Sequence, residues 1–159
     1  LATLQFTAIA LHPTNSSIIF GGMQDNNKAK TTGSLAWQAL DVGDGGYAAI
    51  DPFAPRYYYG SRYGISFQRN DQSGTAPITD WPMKTEGIDR QDRALFYAPF
   101  ALDPASPAVI YYGTYRVYRT ANRGESWTAI SDDLTKGAQT KGRIAAIAVA
   151  PSAPATIYV

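Results

Sequence analysis

Short apolar segments recur along the chain in pairs, and a proline turn divides each pair. Each first segment ends in alanine, a branched aliphatic residue, a variable residue and proline, and the four prolines are Pro13, Pro52, Pro104 and Pro151. An apolar or aromatic pair follows six and seven residues after each proline. The prolines are 39, 52 and 47 residues apart, an interval typical of a repeat built from several short strands. The hydrophobic pattern therefore predicts four copies of one β-rich unit.

The apolar segments predict strands in the same order within each copy. Continuous apolar runs of this length are typical of strands that are buried on both faces. First strands are predicted at 8–11, 47–50, 100–102 and 144–149, and second strands at 18–21, 57–60, 109–113 and 156–159. Third strands are predicted at 64–68 and 116–120, and fourth strands at 81–83 and 126–130. No segment has sustained helical periodicity, and residues 89–96 are the nearest candidate for a helical turn.

This strand order predicts an all-β fold and, within that class, a partial β-propeller. A propeller blade is a sheet of four strands, and blades stack around an axis with a period close to the one in this chain. Residues 1–159 accommodate about three four-stranded blades and the start of a fourth. The blades are expected to begin near residues 5, 46, 97 and 143. The alanines of the first strands would let neighbouring blades approach closely.

An open stack of this size is expected to have partners. Its two outer blades would expose apolar faces and unpaired strand edges to water. We therefore expect the remaining blades of a longer polypeptide, or another copy of the chain, to complete the propeller. Monomeric behaviour in light scattering together with a cooperative melt would contradict this expectation.

Composition narrows the chemistry that the chain can perform. Fourteen lysines and arginines balance thirteen aspartates and glutamates, so no basic surface for nucleic acid is indicated. The absence of cysteine and the single histidine, His12, exclude disulfides and a multi-histidine metal site. No run approaches the ~18 apolar residues of a membrane-spanning helix, so we expect no membrane span. We also expect no cofactor and no metal. A calcium site at residues 41–45, with Asp41, Asp44 and backbone carbonyls as ligands, is the alternative, but its spacing matches no complete EF-hand loop.

Residues 120–127 form a motif whose parts have mechanical roles in a turn. Asn122 can accept hydrogen bonds from turn amides, and Gly124 tolerates a positive φ. Ser126 can close the turn, and Trp127 would pack over it at the start of the next strand. We predict a structural role at the blade periphery for Thr120, Asn122, Gly124, Ser126 and Trp127.

The same segment fits the Asp-box pattern, Ser/Thr-x-Asp-x-Gly-x-Ser/Thr-Trp, with Asn122 in the aspartate position. The chain thereby resembles the BNR or Asp-box propellers, which include sialidases, xyloglucanase-type glycoside hydrolases, sortilin-like (VPS10) ectodomains and photosystem assembly propellers. The loop sequences GGMQDN at 21–26 and GDGG at 43–46 are most similar to large bacterial sortilin-like and BNR-repeat proteins. Residues 32–37 resemble a decayed box, and the second repeat shows none. The resemblance implies a secreted, periplasmic or cell-surface location.

Glycoside hydrolysis needs two carboxylates across a cleft, one as acid and one as base or nucleophile. The resemblance to xyloglucanase-type enzymes places Asp25 near their catalytic aspartate, although their Asp-Val-Gly-Gly pattern is replaced by DNNK at 25–28. Asp44 is the other candidate, in a glycine-rich loop. Turn capping is the alternative interpretation for both carboxylates. A sialidase is disfavoured because its Phe/Tyr-Arg-Ile-Pro motif is missing and the arginines, among them Arg62 and Arg116, are isolated.

Two functions follow from these observations. The first hypothesis is a non-catalytic module for protein or glycan binding, or for scaffolding, in which Asp44, Tyr63 and Tyr115 are loop contact residues. The second is a glycoside hydrolase of the propeller type, with Asp25 as one catalytic carboxylate. The expected partner is accordingly a protein or a carbohydrate.

Overall fold

The computed structural model describes residues 5–74, 81–136, 139 and 141–159, and all regular elements in that part of the chain are β-strands. The strands form four antiparallel sheets, each assembled in chain order. The other residues of the predicted 1–159 propeller lie outside the described part of the chain.

The chain divides into two compact units. Unit 1 comprises Leu1–Tyr63 and Phe67–Met83, and unit 2 comprises Gly64–Ser66 and Lys84–Val159. The four sheets are distributed as two in each unit.

Unit 1 contains a four-stranded sheet and a three-stranded sheet. The first sheet consists of β1 (Phe6–His12), β2 (Asn15–Met23), β3 (Lys28–Thr32) and β4 (Gln38–Ala39). The second sheet consists of β5 (Ala48–Ile50), β6 (Tyr58–Gly60) and β7 (Gln68–Asn70). A single antiparallel bridge between Gln68 and Met83 extends the edge of the second sheet.

Unit 2 repeats this arrangement. Its four-stranded sheet consists of β8 (Phe100–Leu102), β9 (Ile110–Gly113), β10 (Val117–Thr120) and β11 (Thr128–Ala129). A two-stranded sheet of β12 (Ala148–Val149) and β13 (Ile157–Tyr158) follows.

These sheets make the chain an all-β protein with the architecture of a partial β-propeller. Antiparallel strands that neighbour one another in chain order are the arrangement of propeller blades. All four predicted pairs of first and second strands are present, as β1 with β2, β5 with β6, β8 with β9 and β12 with β13.

Other strand predictions need correction. The third strand of the second copy is β7 rather than residues 64–68, and the fourth strand predicted at 81–83 is reduced to the bridge at Met83. Residues 89–96 form turns and irregular chain, not a helical turn. Sequence patterning also missed β3 and β4, because the β3 sequence, KAKTT, is polar. Four of its five residues are nevertheless buried.

The core of unit 1 lies between its two sheets. Phe20 stacks on Trp81 with ring centroids 5.5 Å apart and meets Tyr58 edge-on at 5.2 Å. Ala10 of β1 and Ala48 of β5 pack against this cluster, so small side chains stand where two blades approach each other. Burial of these large rings supplies the main hydrophobic stabilisation of the unit.

The core of unit 2 is aliphatic and aromatic. Val109, Tyr111, Val117 and Ile144 form its buried cluster, with Ile147, Val149 and Ile157 packed against it. The close approach of Ile144 to β9 requires glycine at 113, because a Cβ there would lie 2.9 Å from the Ile144 side chain. The two-stranded sheet thus contributes apolar side chains to the core of this unit.

The variable residue before two of the repeat prolines has a defined function in the turn. The buried Asp51 accepts hydrogen bonds of 2.9 Å from the amides of Phe53 and Ala54. Asp103 does the same for the amides of Ala105 and Ser106, at 2.8 and 3.1 Å. An aspartate that bonds the backbone two and three residues ahead stabilises the turn between first and second strands.

The turn after β10 is held by side chains. Thr120 Oγ1 accepts hydrogen bonds from the amides of Asn122 and Gly124, at 3.2 and 3.1 Å. Asn122 Oδ1 accepts the amide of Ser126 at 3.0 Å. The buried Trp127 donates its indole N–H to the Lys84 carbonyl at 2.7 Å. Each of these contacts is made within the turn or to a neighbouring loop of unit 2.

A turn of the same construction follows β7 in the second copy, where sequence patterning assigned none. Asn70 Oδ1 accepts hydrogen bonds of 2.9 Å from the amides of Gln72 and Gly74, the same two positions that Thr120 serves in unit 2. Ser73 and Gly74 have φ values of 57° and 60°, as Arg123 and Gly124 have 58° and 88°. The sequence did not indicate this turn, because Asn70 occupies the position of the threonine in the motif.

Replacing Asn70 by alanine is expected to destabilise unit 1 by about 2 kcal/mol, since two turn amides lose their acceptor and one of them is buried. Thr120→Val in unit 2 removes the corresponding acceptor at nearly constant volume and should act in the same direction. The exposed Gln72→Ala is the control, expected within about 0.5 kcal/mol of the parent. Urea denaturation measures all three, and equal stabilities of Asn70→Ala and the control would contradict the assignment.

Candidate functional site

Two loops of unit 1 lie side by side at one end of its sheets. They are the β2–β3 loop, residues 24–27, and the connection from β4 to β5, residues 41–46, and we call them the paired loops. The Asn27 amide donates to the Gly43 carbonyl at 2.7 Å, and the Gly45 amide donates to the Met23 carbonyl at 2.8 Å. A Cβ at position 45 would overlap the Asn27 carbonyl. Backbone contact therefore explains the glycine at 45 in the paired loops.

The structure brings Asp25 and Asp44 together in the paired loops. The backbone amide of Asp25 donates to Asp44 Oδ1 at 3.1 Å. Asp25 is exposed and adopts a φ of 59°, a left-handed conformation that is uncommon for residues with a Cβ. Asp44 thus acts as a cap of the Asp25 amide, while the carboxylate of Asp25 faces solvent.

An arginine and a tyrosine border the paired loops. The Arg62 guanidinium lies beside Gly43, 2.9 Å from where a Cβ of that residue would stand. Tyr63, a predicted contact residue, follows it in the chain and is 56% exposed. Sequence reasoning had treated Arg62 only as an isolated arginine. Only the tertiary structure places its guanidinium next to the loop that carries Asp44.

A buried ion pair lies beneath the paired loops. Lys28, fully buried, pairs with the buried Asp41 and donates to Gln68 Oε1 at 2.7 Å. Its ammonium also lies 5.2 Å from the centre of the Trp81 ring. Burial lowers the pKa of the Lys28 ammonium below its usual value, and Asp41 offsets only part of that effect. No sequence signal distinguished this lysine from a solvated one.

Unit 2 has a carboxylate network at its own loops. Asp92, whose side chain is 2% exposed, receives two 2.9 Å hydrogen bonds from the Arg116 guanidinium. Tyr118 and Thr114 donate to Asp92 Oδ2 at 2.7 and 2.9 Å. Burial opposes ionisation of Asp92, but these donors outweigh it and lower its pKa. Burial, with the bond to Asp92, raises the pKa of Tyr118 to about 12.

Tyr115, the predicted contact residue of unit 2, lies among arginines. Its ring centre is 4.3 Å from the Arg93 guanidinium carbon and 5.2 Å from that of Arg116. Arg93 in turn pairs with Asp133 at 2.7 Å. Hydrogen bonds from Thr135, then from Arg93, hold the pKa of Asp133 at about 2. Tyr115 is half-buried, so part of its ring is engaged by these cation–π contacts.

Among the described residues, no cluster of three or more histidine, cysteine, aspartate or glutamate side chains is arranged to hold a metal ion. The same part of the chain contains no helix with the length and apolar character needed to cross a membrane.

Comparison with known proteins establishes the fold. No family model matches the sequence, and no curated protein matches it. An ancestral GH74 enzyme superposes with a TM-score of 0.68 at 18% identity, over 92% of this chain and 21% of that one. YCF48 from Cyanidioschyzon merolae superposes with a TM-score of 0.57 at 13% identity, over 85% of this chain and 38% of that one. Both are β-propeller proteins. The chain has the fold of a partial β-propeller.

A third solved structure superposes with a lower TM-score than these two. The GH74 xyloglucanase from Xanthomonas campestris superposes with a TM-score of 0.46 at 12% identity, over 94% of this chain and 34% of that one. The chain thus spans between 21% and 38% of the lengths of these three structures. Identities this low relate the folds and carry no activity from one protein to another.

Proposed function

We propose that this chain is a non-catalytic binding module and that the paired loops of unit 1, with Arg62 and Tyr63, bind a carbohydrate. The single observation that carries the proposal is the use of the carboxylates around Asp25. Asp44 caps the Asp25 amide, and Asp41 pairs with Lys28. The carboxylates of Asp44 and Asp41 therefore stabilise the loops, and Asp25 is the carboxylate of this region that is left for a ligand.

The groups that remain on this surface suit sugar hydroxyls. Gln24, Asp25 and Asn26 are exposed. The two planar amide groups both donate to and accept from hydroxyls, and the Asp25 carboxylate accepts from them. The exposed Tyr63 offers an apolar ring with a polar hydroxyl, which suits stacking on a pyranose face. A few convergent polar groups beside an aromatic ring are typical of small-molecule sites. In unit 2, Tyr115 is proposed as a separate contact residue.

We propose further that the chain is of the Asp-box, sortilin-like (BNR) type and is extracytoplasmic. The hydrogen bonds around Thr120 and Asn122, and the equivalent turn at Asn70, support the first part. Mass spectrometry of secreted, periplasmic and cytoplasmic fractions tests the second. Recovery of the protein in the cytoplasm alone would contradict it.

A glycoside hydrolase is the second candidate, and one observation favours it. Asp25 holds its exposed carboxylate in a left-handed backbone conformation, and strained residues cluster at active sites. In that case Asp25 would act as one of the two catalytic carboxylates, with its counterpart on another blade.

Asp25→Asn and Asp25→Ala distinguish the two functions. For a binding module, Asn keeps a neutral acceptor of the same shape and should keep most of the binding. Ala should weaken polysaccharide binding about tenfold, the effect of losing one hydrogen bond. For a hydrolase, Asn should abolish turnover because it can neither donate nor accept the proton. Calorimetry with soluble polysaccharides and a reducing-sugar assay measure both.

Tyr63→Phe and Tyr63→Ala are the matched pair for the proposed stacking contact. Phe keeps the ring and should keep most of the binding, whereas Ala should lose about tenfold. Binding that is unchanged in both alanine variants, Asp25→Ala and Tyr63→Ala, would remove the paired loops as the binding surface.

A further inference from the structure

We infer that Lys28 is a positioning residue for the proposed site: its buried ammonium holds Asp41 and thereby sets the conformation of the paired loops that present Asp25. The inference rests on the proposed function for its meaning in binding. Its structural part concerns only contacts within unit 1.

The neighbouring sheet has a glycine, Gly60, at the position where the Lys28 side chain lies against it. Lys28 is fully buried at the start of β3. Gly60, the last residue of β6, lies against its aliphatic stem, and a Cβ at position 60 would overlap Lys28 Cδ. Lysine is almost never fully buried unless it is paired. The sheet is therefore shaped to admit this particular side chain.

The ammonium joins groups from different parts of unit 1. It pairs with Asp41 at the base of one paired loop and donates to Gln68 Oε1 of β7 at 2.7 Å. The Gln68 amide group donates in turn to the Trp81 carbonyl at 2.8 Å. Lys28 thus links β3, the β4–β5 connection and the second sheet at one point.

From Asp41 the contacts run to Asp25. Asp41 Oδ1 accepts the amide of Val42 at 2.9 Å, so the carboxylate that pairs with Lys28 also starts the loop. The next residue, Gly43, accepts the Asn27 amide at 2.7 Å, and Asp44 accepts the Asp25 amide at 3.1 Å. Lys28 directly follows Asn27, the last residue of the first loop, and Asp41 is the first residue of the second. The ion pair therefore joins the two loops at their base, and the hydrogen bond from the Asp25 amide to Asp44 joins them at their tip.

Stability alone gives little reason for this ion pair. Desolvation of two buried charges offsets most of their attraction, and apolar residues of similar size are often as stabilising. Arg62 adds a second positive charge near Lys28 and disfavours its charged form further. Apolar side chains could fill the same space, but they could not replace the directional contact between the Lys28 ammonium and Asp41. We infer that this contact selects the loop conformation in which Asp44 reaches the Asp25 amide.

The decisive variant is the double substitution Lys28→Met with Asp41→Leu. It removes both buried charges together, so neither is left unpaired. Because Leu is larger than Asp, and the Val42 amide and Gln68 Oε1 lose their partners, we expect the urea midpoint to fall while the protein stays folded. We expect the amide resonances of Asp25 and Asn27 to shift and their hydrogen exchange to accelerate about tenfold or more, toward the behaviour of a locally open loop. Asp44→Ala, which removes the cap directly, is the reference for the Asp25 amide.

Amides of β6 report whether the second sheet remains folded. If they keep their protection while Asp25 and Asn27 are also unchanged, the inference is overturned. Should the double variant fail to fold, Lys28→Met alone answers the same question, because it nearly keeps the side-chain volume and removes the ammonium that holds Asp41. A folded Lys28→Met protein with parental Asp25 and Asn27 amides would equally overturn the inference.

A binding measurement separates this inference from the proposed function. If the parent protein binds a soluble polysaccharide, the double variant should bind it about tenfold more weakly. If the parent binds none of the polysaccharides, the proposed function fails, while the amide measurements still decide whether Lys28 positions the loops.

Discussion

Asp92→Ala is expected to destabilise unit 2 by about 3 kcal/mol, the lower end of the cost of breaking a buried ion pair. The substitution leaves the Arg116 guanidinium, the Tyr118 hydroxyl and the Thr114 hydroxyl without their shared acceptor. Arg116 is 26% exposed and can recover some hydration, which places the estimate at the lower end. The same network joins the loop before β8 to the turn between β9 and β10, so we expect their amides to exchange faster as well.

Asp89→Asn is the matched control for this prediction, because Asn keeps an acceptor for the Gln91 amide and removes only the charge near Arg116. Asp89 lies 3.7 Å from the same Arg116 guanidinium, but its side chain is 54% exposed. An exposed pair of this kind contributes at most about 1 kcal/mol. Urea denaturation followed by near-UV circular dichroism measures both variants, and equal stabilities would show that the buried network contributes no more than a surface pair.

Gly45→Ala is expected to cost about 3 kcal/mol, the upper end for an overpacked position, and to abolish the carbohydrate binding proposed for the paired loops. The added methyl group would overlap the Asn27 carbonyl, and both partners are backbone, so neither can rotate away. The loops would have to separate, with loss of the Gly45 amide bond to the Met23 carbonyl.

Gly64→Ala is the control that separates steric overlap of the new methyl group from the backbone strain of replacing a glycine. Gly64 has a φ of 68° and no atom within 4 Å of a Cβ. Alanine there should cost about 1–2 kcal/mol of backbone strain and leave the Asp25 amide resonance unchanged. Thermal melts and amide spectra of the two variants supply the comparison. A parental Asp25 resonance in Gly45→Ala would contradict the prediction, because it would mean that the paired loops accept the methyl group without separating.

The strand pairs were predictable because each carries its own local signal. Small apolar residues that end at a proline mark a strand and its turn without reference to the rest of the molecule. β3 lacked that signal, since two lysines occupy positions that are buried by contacts with β6 and β7. The turn at Asn70 lacked it too, because asparagine replaces threonine as the acceptor.

The candidate site was predictable only as separate residues. Asp25 and Asp44 stood out by their position in loops, but nothing in the sequence separated a capping aspartate from an exposed one. Arg62 and Lys28 gave no signal, because their significance depends on Gly43 and Asp41, which reach them through folding.

The amino-acid sequence by itself determined the repeat, the strand pairs and the propeller class, because hydrophobic periodicity and turn chemistry act over a few neighbouring residues. Only the tertiary structure decided which charges are buried, which carboxylate caps a loop and which remains exposed. Those properties depend on the dielectric surroundings and on contacts between residues distant in the chain, such as Lys28 with Gln68. Local sequence has no means of specifying them.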